Sequence, residues 1–125
     1  MMNFLVVGLG ACLGGMLRYL FLSLFTTEFP FSTLLSNVLA GFLMGFAIGI
    51  ARSSGGISQN MRLFITTGFL GGLSTFSGLS LDTVVMFEQQ KYVLGSFNIL
   101  VNVSLSLFFL IIGLWLGNIV VNTIK

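Results

Sequence analysis

The chain has 125 residues, of which 56% are hydrophobic and 6% are charged. A soluble domain carries about 25% charged residues, so five basic and three acidic side chains cannot cover a soluble globule of this length. Histidine is absent and there is one cysteine, which excludes Ser-His-Asp and Cys-His catalysis and thiolate metal clusters. The net charge of +2 comes from scattered residues, so nucleic-acid binding is not expected. The composition predicts an integral membrane protein that is not an enzyme.

Four apolar segments follow one another along the chain, and each is long enough to cross a bilayer as a helix of about 20 residues. The connections between them are short and leave no room for a soluble domain. The N-terminus lacks the basic residues of a signal peptide. We expect an all-α membrane protein with a single four-helix transmembrane domain over residues 1–125, its helices at about residues 3–25, 31–51, 61–88 and 92–121.

The basic residues divide unequally between the two sides of the predicted membrane domain. Four spans place both termini on one side, which also carries Arg52, Arg62 and Lys125. The other side carries Lys91, and Arg18 lies near that end of the first helix. This is a weak bias under the positive-inside rule. It leaves two alternatives: a fixed orientation with the termini inside, or a dual topology in which the chain inserts in either direction.

Glycines recur at every fourth position in the first two predicted helices. Residues four apart stack on one face of a helix, and such stripes of small residues let membrane helices pack closely. Helix packing is the favoured interpretation of these glycines. Each stripe ends at a strong hydrogen-bond donor, which is costly inside a membrane. Arg18 either reaches the interface or has a functional partner, and Asn37 either bonds a neighbouring helix or lines a pore. The stripes are Gly10, Gly14 and Arg18, then Asn37, Gly41, Gly45 and Gly49.

The third segment has four glycines and four hydroxyl residues within positions 68–80. This composition is poor for an uninterrupted helix, and the segment is longer than one span needs. We expect the third helix to break near mid-membrane, with a simple glycine kink as the alternative. Unwound backbone at that depth lies inside protein or beside water, and broken spans mark ion sites in transporters and channels.

The fourth helix carries a polar stripe at the same four-residue spacing. Asn98, Asn102 and Ser106 lie on one face of an otherwise apolar helix. Such a stripe either joins helices through hydrogen bonds or lines a wet path, and the sequence leaves both alternatives open.

Three short motifs in order resemble those of a known family. Residues 14–19 read GGMLRY and match a helix 1 GxxxR motif, and residues 31–37 read FSTLLSN, followed by Gly41, and match a helix 2 GTLxxN…G motif. Residues 68–77 read GFLGGLSTFS and match a helix 3 GFxGGxTTFS motif, the most specific of the three. The chain resembles the Fluc (CrcB) family of fluoride channels over nearly its whole length.

The resemblance implies an antiparallel, dual-topology homodimer in the cell inner or plasma membrane, through which fluoride leaves the cytoplasm passively along two paths. It implies that the backbone carbonyls of Gly71 and Ser74 bind a structural sodium ion (Na+) on the dimer axis. Arg18 matches a vestibule arginine of the family. The residues implied along each fluoride path are Asn37, Thr75, Phe76, Ser77 and Ser106.

The chain departs from the family pattern at Leu79. The family has a second Phe three residues after the first, whereas Leu79 stands there in this chain, after Gly78. A phenyl edge is the positive part of the ring quadrupole, and leucine offers an anion no such contact. The departure adds the alternative that the partner is a paralogue in a heterodimer, in which this chain is a non-conducting or structural subunit.

A selective fluoride path must replace the ion's water with neutral donors, because a charged cage would not release it. Asn, Ser and Thr side chains and ring edges meet that demand. A proton-coupled small multidrug exporter is a rival function with the same number of spans. It needs a carboxylate within the membrane, and Asp82 is the only candidate. A purely structural subunit would explain the glycines, but not the hydroxyl-rich third segment.

Overall fold

The computed structural model covers residues 1–125 and describes the side chains of residues 1–52 and 55–125. The described chain is helical apart from its short connections. Helix bounds are α1 Met2–Leu24, α2 Phe31–Ser54, α3 Gln59–Arg62, a π-helix Leu63–Leu70, α4 Gly71–Leu73, α5 Phe76–Glu88 and α6 Tyr92–Ile124.

Four helical stretches of the described residues are long and apolar enough to cross a membrane: Met2–Leu24, Phe31–Arg52, Gln59–Glu88 and Tyr92–Ile124. They confirm the four predicted spans, and their bounds agree with the predicted ones within three residues. Large apolar side chains on the outside of each span are exposed, as suits a lipid solvent. Examples are Leu9, Leu35, Leu81, Val93, Ile111 and Trp115.

Local signals at the connections explain where the helices begin and end. Pro30 immediately precedes α2, where its fixed φ and missing N–H suit a helix start. Gly55 ends α2 with a left-handed φ of 60°, a conformation that glycine adopts without steric cost. The Ser58 side chain accepts a hydrogen bond from the Met61 N–H, 3.3 Å away, and so caps α3.

Glycine stripes bring two pairs of spans into backbone contact. A Cβ added at Gly14 would overlap the Phe69 carbonyl of the π-helix, and one at Gly45 would overlap the Leu110 carbonyl of α6. The close approach of α2 and α6 also depends on a glycine of α6, because a Cβ at Gly113 would overlap the Phe42 carbonyl of α2. Helix packing, the interpretation favoured from the sequence, is therefore confirmed. It pairs α1 with the third span and α2 with α6.

The third span changes its helix type and then leaves helical geometry. The π-helix gives way to α4, and the two residues after Leu73 have extended backbone. Ser74 has φ −75° and ψ 151°, and Thr75 has φ −149° and ψ 113°. The helix resumes at Phe76, so Ser74 and Thr75 form an interruption beside the buried core residues Leu70 and Leu73.

Two connections are joined on the side of the molecule opposite the termini. Lys91, before α6, donates a hydrogen bond to and pairs ionically with Glu28, between α1 and α2. The Phe29 ring lies 4.9 Å from the Phe31 ring and 5.9 Å from the Phe97 ring, centroid to centroid. The hydrogen bond from Lys91 and then its charge hold the pKa of Glu28 below the ordinary 4.5.

Candidate functional site

A groove of about 390 Å³ lies where α2 and α6 face the interruption of the third span. Apolar side chains form most of its wall, and polar side chains are gathered around Ser74 and Thr75. The polar lining residues are Asn37, Ser74, Thr75, Asn102 and Ser106, and the Phe76 ring and Leu79 also line the groove.

Asn37 joins the interruption to α6 through three hydrogen bonds. Its Oδ1 accepts from the Thr75 backbone N–H at 2.7 Å. Its Nδ2 donates to the Thr75 carbonyl at 3.3 Å and to Asn102 Oδ1 at 2.9 Å. Both hydrogens of the Asn37 amide are thus donated, and the bond to the Thr75 carbonyl is the long one. Asn37 therefore bonds both the backbone N–H and the backbone carbonyl of Thr75.

The hydrogen-bonded chain continues from Asn102 along α6 and back to α5. Asn102 Nδ2 donates to the Asn98 carbonyl at 2.9 Å and to Asn98 Oδ1 at 3.0 Å. Asn98 Nδ2 donates to Thr83 Oγ1 at 3.2 Å, and that hydroxyl donates to the Leu79 carbonyl at 2.8 Å. Asn98 is fully buried and Asn102 is 2% exposed. Buried amides in such a chain fix one another's orientation.

Two donors at the interruption are turned away from their helical acceptors. In a continuous α-helix each N–H bonds the carbonyl four residues earlier, so Thr75 would donate to Gly71 and Gly78 would donate to Ser74. Instead the Thr75 N–H donates to Asn37 Oδ1, and the Gly78 N–H donates to Thr75 Oγ1 at 2.9 Å. The Thr75 hydroxyl also lies 3.2 Å from Ser77 Oγ.

Two buried hydroxyls have no hydrogen-bond partner within the described part of the chain: Ser36 Oγ and Ser106 Oγ. Ser36 is fully enclosed on α2, whereas Ser106 belongs to the groove wall. Buried polar atoms are nearly always bonded, and the Ser106 hydroxyl is an unbonded donor in a residue of the groove wall.

Asp82 accepts a hydrogen bond from Thr33 Oγ1 at 2.7 Å. This pair joins the start of α2 to the middle of α5, and Asp82 is not among the residues that line the groove. Thr33 and Asp82 are 49 positions apart, so no local spacing predicts this pairing.

The groove gathers six of the residues that the family resemblance named: Asn37, Ser74, Thr75, Phe76, Leu79 and Ser106. Ser77 lies beside the Thr75 hydroxyl, and Gly71 lies in α4 just before the interruption. Arg18 is half-buried on α1 and does not line the groove. Phe76 is 80% exposed, whereas Leu79 is 5% exposed. The roles of all these residues stay predictions.

Asn102 lines the groove and bonds Asn37, although it is not among the residues predicted along the fluoride path. Its four-residue spacing before Ser106 was the available signal, but that signal did not separate helix joining from pore lining. The structure shows that Asn102 joins helices and also lines the groove. Among the described residues no group of three His, Cys, Asp or Glu side chains is placed to hold a metal ion.

Four long apolar helices, three of which line a groove with a hydrogen-bonded polar cluster, define a multi-pass membrane protein. The family model for "CrcB-like protein, Camphor Resistance (CrcB)" matches residues 5–114, and the chain belongs to this family.

Curated relatives of the chain are similar over nearly their full length. A protein of Clostridium perfringens is 44% identical over 120 residues, which cover 92% of this chain and 93% of the relative. A protein of Granulibacter bethesdensis is 41% identical and one of Clostridium novyi is 38% identical, each covering 93% of this chain and 94% of the relative. All three are named "Fluoride-specific ion channel FluC", the name of a channel and not of an enzyme.

Proposed function

We propose that this chain forms a fluoride-selective passive channel through which fluoride leaves the cytoplasm. The observation that carries the proposal is the cluster of neutral polar side chains in the groove beside an interrupted membrane helix. The names of the full-length relatives support fluoride as the ion. Neutral donors suit conduction, because they replace the ion's hydration without holding it as tightly as a fixed charge would.

The surroundings of the groove favour an anion. The interruption presents the N-terminal end of α5, where unpaired N–H groups and the helix dipole give a partial positive charge. The hydroxyls of Thr75 and Ser106 lie in the same wall, and no acidic side chain lines the groove in the described structure. The Phe76 ring adds a positive edge to that wall. Ser77 lies beside Thr75 and completes the set of hydroxyl donors.

Asn37 takes part in the fluoride path by exchanging one of its bonds. Its 3.3 Å contact to the Thr75 carbonyl is the weakest of its three hydrogen bonds. In the proposal a passing fluoride accepts that N–H in place of the carbonyl, while the bond to Asn102 keeps the amide in position. The Ser106 hydroxyl, which gives up no bond to the described protein, is the easier donor.

The carboxylate that a proton-coupled exporter would need is placed poorly for that role. Asp82 is the acid nearest the middle of a span, and it accepts a hydrogen bond from Thr33 outside the groove. A channel is therefore favoured over an exporter.

An antiparallel, dual-topology homodimer with the interruption near mid-membrane forms part of the proposal. The groove is open on one side and Phe76 is 80% exposed there, so a second copy would close it and shelter the ring. The buried leucine at position 79 leaves each path with one ring from this chain in its groove wall. A paralogous partner in a heterodimer is the second candidate, because it would supply the missing ring.

The interruption also fits a structural sodium ion at the dimer centre. The donors that would satisfy the Gly71 and Ser74 carbonyls in a helix are directed elsewhere, and carbonyl oxygens are suitable ligands for a hard cation. Gly71 is exposed, as contact with a partner copy requires. Such an ion would supply a fixed positive charge close to the anion path. Arg18 would contribute charge at the vestibule.

Fluoride efflux from liposomes that contain the purified protein alone tests the channel function. We expect fast fluoride efflux, read with a fluoride electrode, and negligible chloride efflux under the same gradient. Asn37→Asp should slow fluoride efflux by at least about tenfold, because it adds negative charge to an anion path. Ser104→Ala, on the outward face of α6, is the control and should match the parent.

Equal efflux of fluoride and chloride would reject fluoride selectivity. No fluoride efflux from well-folded protein would reject the self-sufficient homodimer. Restored efflux after co-reconstitution with a paralogue would then identify the heterodimer.

A further inference from the structure

We infer that Asn37 and Thr75 are positioning residues for the cation site: Asn37 Oδ1 and Thr75 Oγ1 each divert a backbone N–H and so leave the Gly71 and Ser74 carbonyls open to a cation. The inference rests on the sodium site of the proposed function. It adds which side chains create that site and links it to the groove.

The first diversion concerns the Gly71 carbonyl. Its helical donor would be the Thr75 N–H, four residues on. That N–H lies 2.7 Å from Asn37 Oδ1, a short and well-formed bond. The extended backbone of Ser74 separates α4 from Thr75 and moves the Thr75 N–H out of the helical ladder. Asn37, on a different span, thus replaces Gly71 as the acceptor.

The second diversion concerns the Ser74 carbonyl. Its helical donor would be the Gly78 N–H, which instead lies 2.9 Å from Thr75 Oγ1. Thr75 acts as the N-cap of α5, with the extended backbone that a cap residue has. The hydroxyl that starts α5 therefore also removes the donor of the Ser74 carbonyl.

The two carbonyls lie at the end of the helical stretch that runs from Gln59 to Leu73, the partially negative end of its dipole. Carbonyls that lack backbone donors at such an end favour a cation. If a substitution let the Thr75 N–H bond the Gly71 carbonyl, or the Gly78 N–H bond the Ser74 carbonyl, that carbonyl would be less available to the cation. The cation affinity would then fall by the free energy of one hydrogen bond.

Asn37 belongs to the groove as well as to the interruption. Its amide orientation is fixed by Asn102, which is held in turn by Asn98. The same side chain therefore supports the cation site through Oδ1 and faces the fluoride path through Nδ2. The cation site and the fluoride path are therefore linked through the amide group of Asn37, and a change in its orientation would affect both.

Sodium binding to the purified protein tests this inference without recourse to ion flux. Sodium is titrated by calorimetry into protein prepared in N-methylglucamine chloride, and the melting temperature is followed as a function of sodium concentration. We expect Thr75→Val to weaken sodium binding roughly two- to thirteenfold, the effect of one hydrogen bond of about 0.5–1.5 kcal/mol. Thr75→Ser keeps the hydroxyl and should restore the parent affinity.

Asn37→Leu provides a second variant of similar volume, and it should weaken sodium binding by a similar factor through the other carbonyl. Elution as a single sharp peak in size-exclusion chromatography identifies the folded variants. Parent-like sodium affinity in folded Thr75→Val or folded Asn37→Leu would overturn the inference.

Failure of the proposed sodium site gives a different result. If the parent itself shows neither sodium heat nor a sodium-dependent melting temperature, the cation site is rejected together with its positioning residues. Fluoride efflux, measured separately, would still decide the channel function.

Discussion

The two halves of the α2–α6 pair are held together by different chemistry. Towards the side of the termini the helices meet through glycines, with Gly45 against the Leu110 backbone and Gly113 against the Phe42 backbone. Towards the other side they meet through amides, with Asn37 bonded to Asn102. The first half depends on the absence of side-chain atoms, and the second depends on precise polar ones.

One half of the α2–α6 pair sets the distance between the helices, and the other half carries the polar groups of the groove. The contacts of Gly45 and Gly113 set how near the two helices approach, and neither glycine lines the groove. The amide half lies at the level of the groove and the interruption. The glycine half of the α2–α6 pair thus positions the amide half, which carries the candidate site. Substitutions in the two halves should therefore have different consequences.

The largest expected effect is on the glycine half. Gly45→Ala places a Cβ against the Leu110 carbonyl, which should destabilise the fold by about 1–3 kcal/mol or more through overpacking. The melting temperature in detergent and the fraction of monodisperse protein measure it. Gly8→Ala is the control, because no atom lies within 4 Å of a Cβ added at Gly8. Equal behaviour of the two variants would show that the close approach is not required.

A smaller effect is expected on the amide half. Asn102→Leu removes the acceptor of Asn37 Nδ2 and should cost about 0.6–1.7 kcal/mol, the range for hydrogen bonds between membrane helices. It should also slow fluoride efflux, since Asn37 is no longer held from α6. A parent-like melting temperature for Asn102→Leu would contradict a structural role of the amide chain.

Ser106→Ala tests a groove residue without a bonding role. The Ser106 hydroxyl has no partner among the described residues, so the melting temperature should stay constant while fluoride efflux falls.

The smallest effect is expected at the Glu28–Lys91 pair, which joins two connections outside both halves. Lys91 holds the pKa of Glu28 below 4.5, so the pair stabilises the protein above that pH, and its contribution disappears as the pH falls through the folded-state pKa. Lys91→Gln should lower the melting temperature slightly at neutral pH, and the difference from the parent should vanish in acid. A difference that persists unchanged in acid would assign the effect to something other than this carboxylate.

The sequence was sufficient to predict the fold at the level of its spans. Runs of apolar residues predicted four helices, and glycines at every fourth position predicted close packing. It did not predict the π-helix of residues 63–70, because LFITTGFL has no spacing that distinguishes π from α geometry. Composition favoured a break in the third span, and the extended residues are Ser74 and Thr75. That this interruption lies near mid-membrane stays a prediction.

The candidate site was less accessible to sequence reasoning, because its hydrogen bonds join distant parts of the chain. Asn37 and Asn102 are 65 positions apart, and Asn37 and Thr75 are 38 apart. A polar stripe shows that a helix carries donors, but not which donors are already engaged. Only the three-dimensional arrangement distinguishes the bonded amide of Asn102 from the unpartnered hydroxyl of Ser106.

The π-helix has a consequence for how the third span tolerates insertions and deletions. A π-helix bonds each N–H to the carbonyl five residues earlier rather than four, so it accommodates surplus residues without moving the segments on either side. Deleting one residue from the stretch between Leu63 and Thr67 would let the stretch relax towards α geometry, with little rotation of α3 relative to α4. Arg62 would keep its direction, and Gly68 would keep its contact with α1. The π-helix is thus the part of this span whose length can change by one residue without disturbing the residues at the interruption.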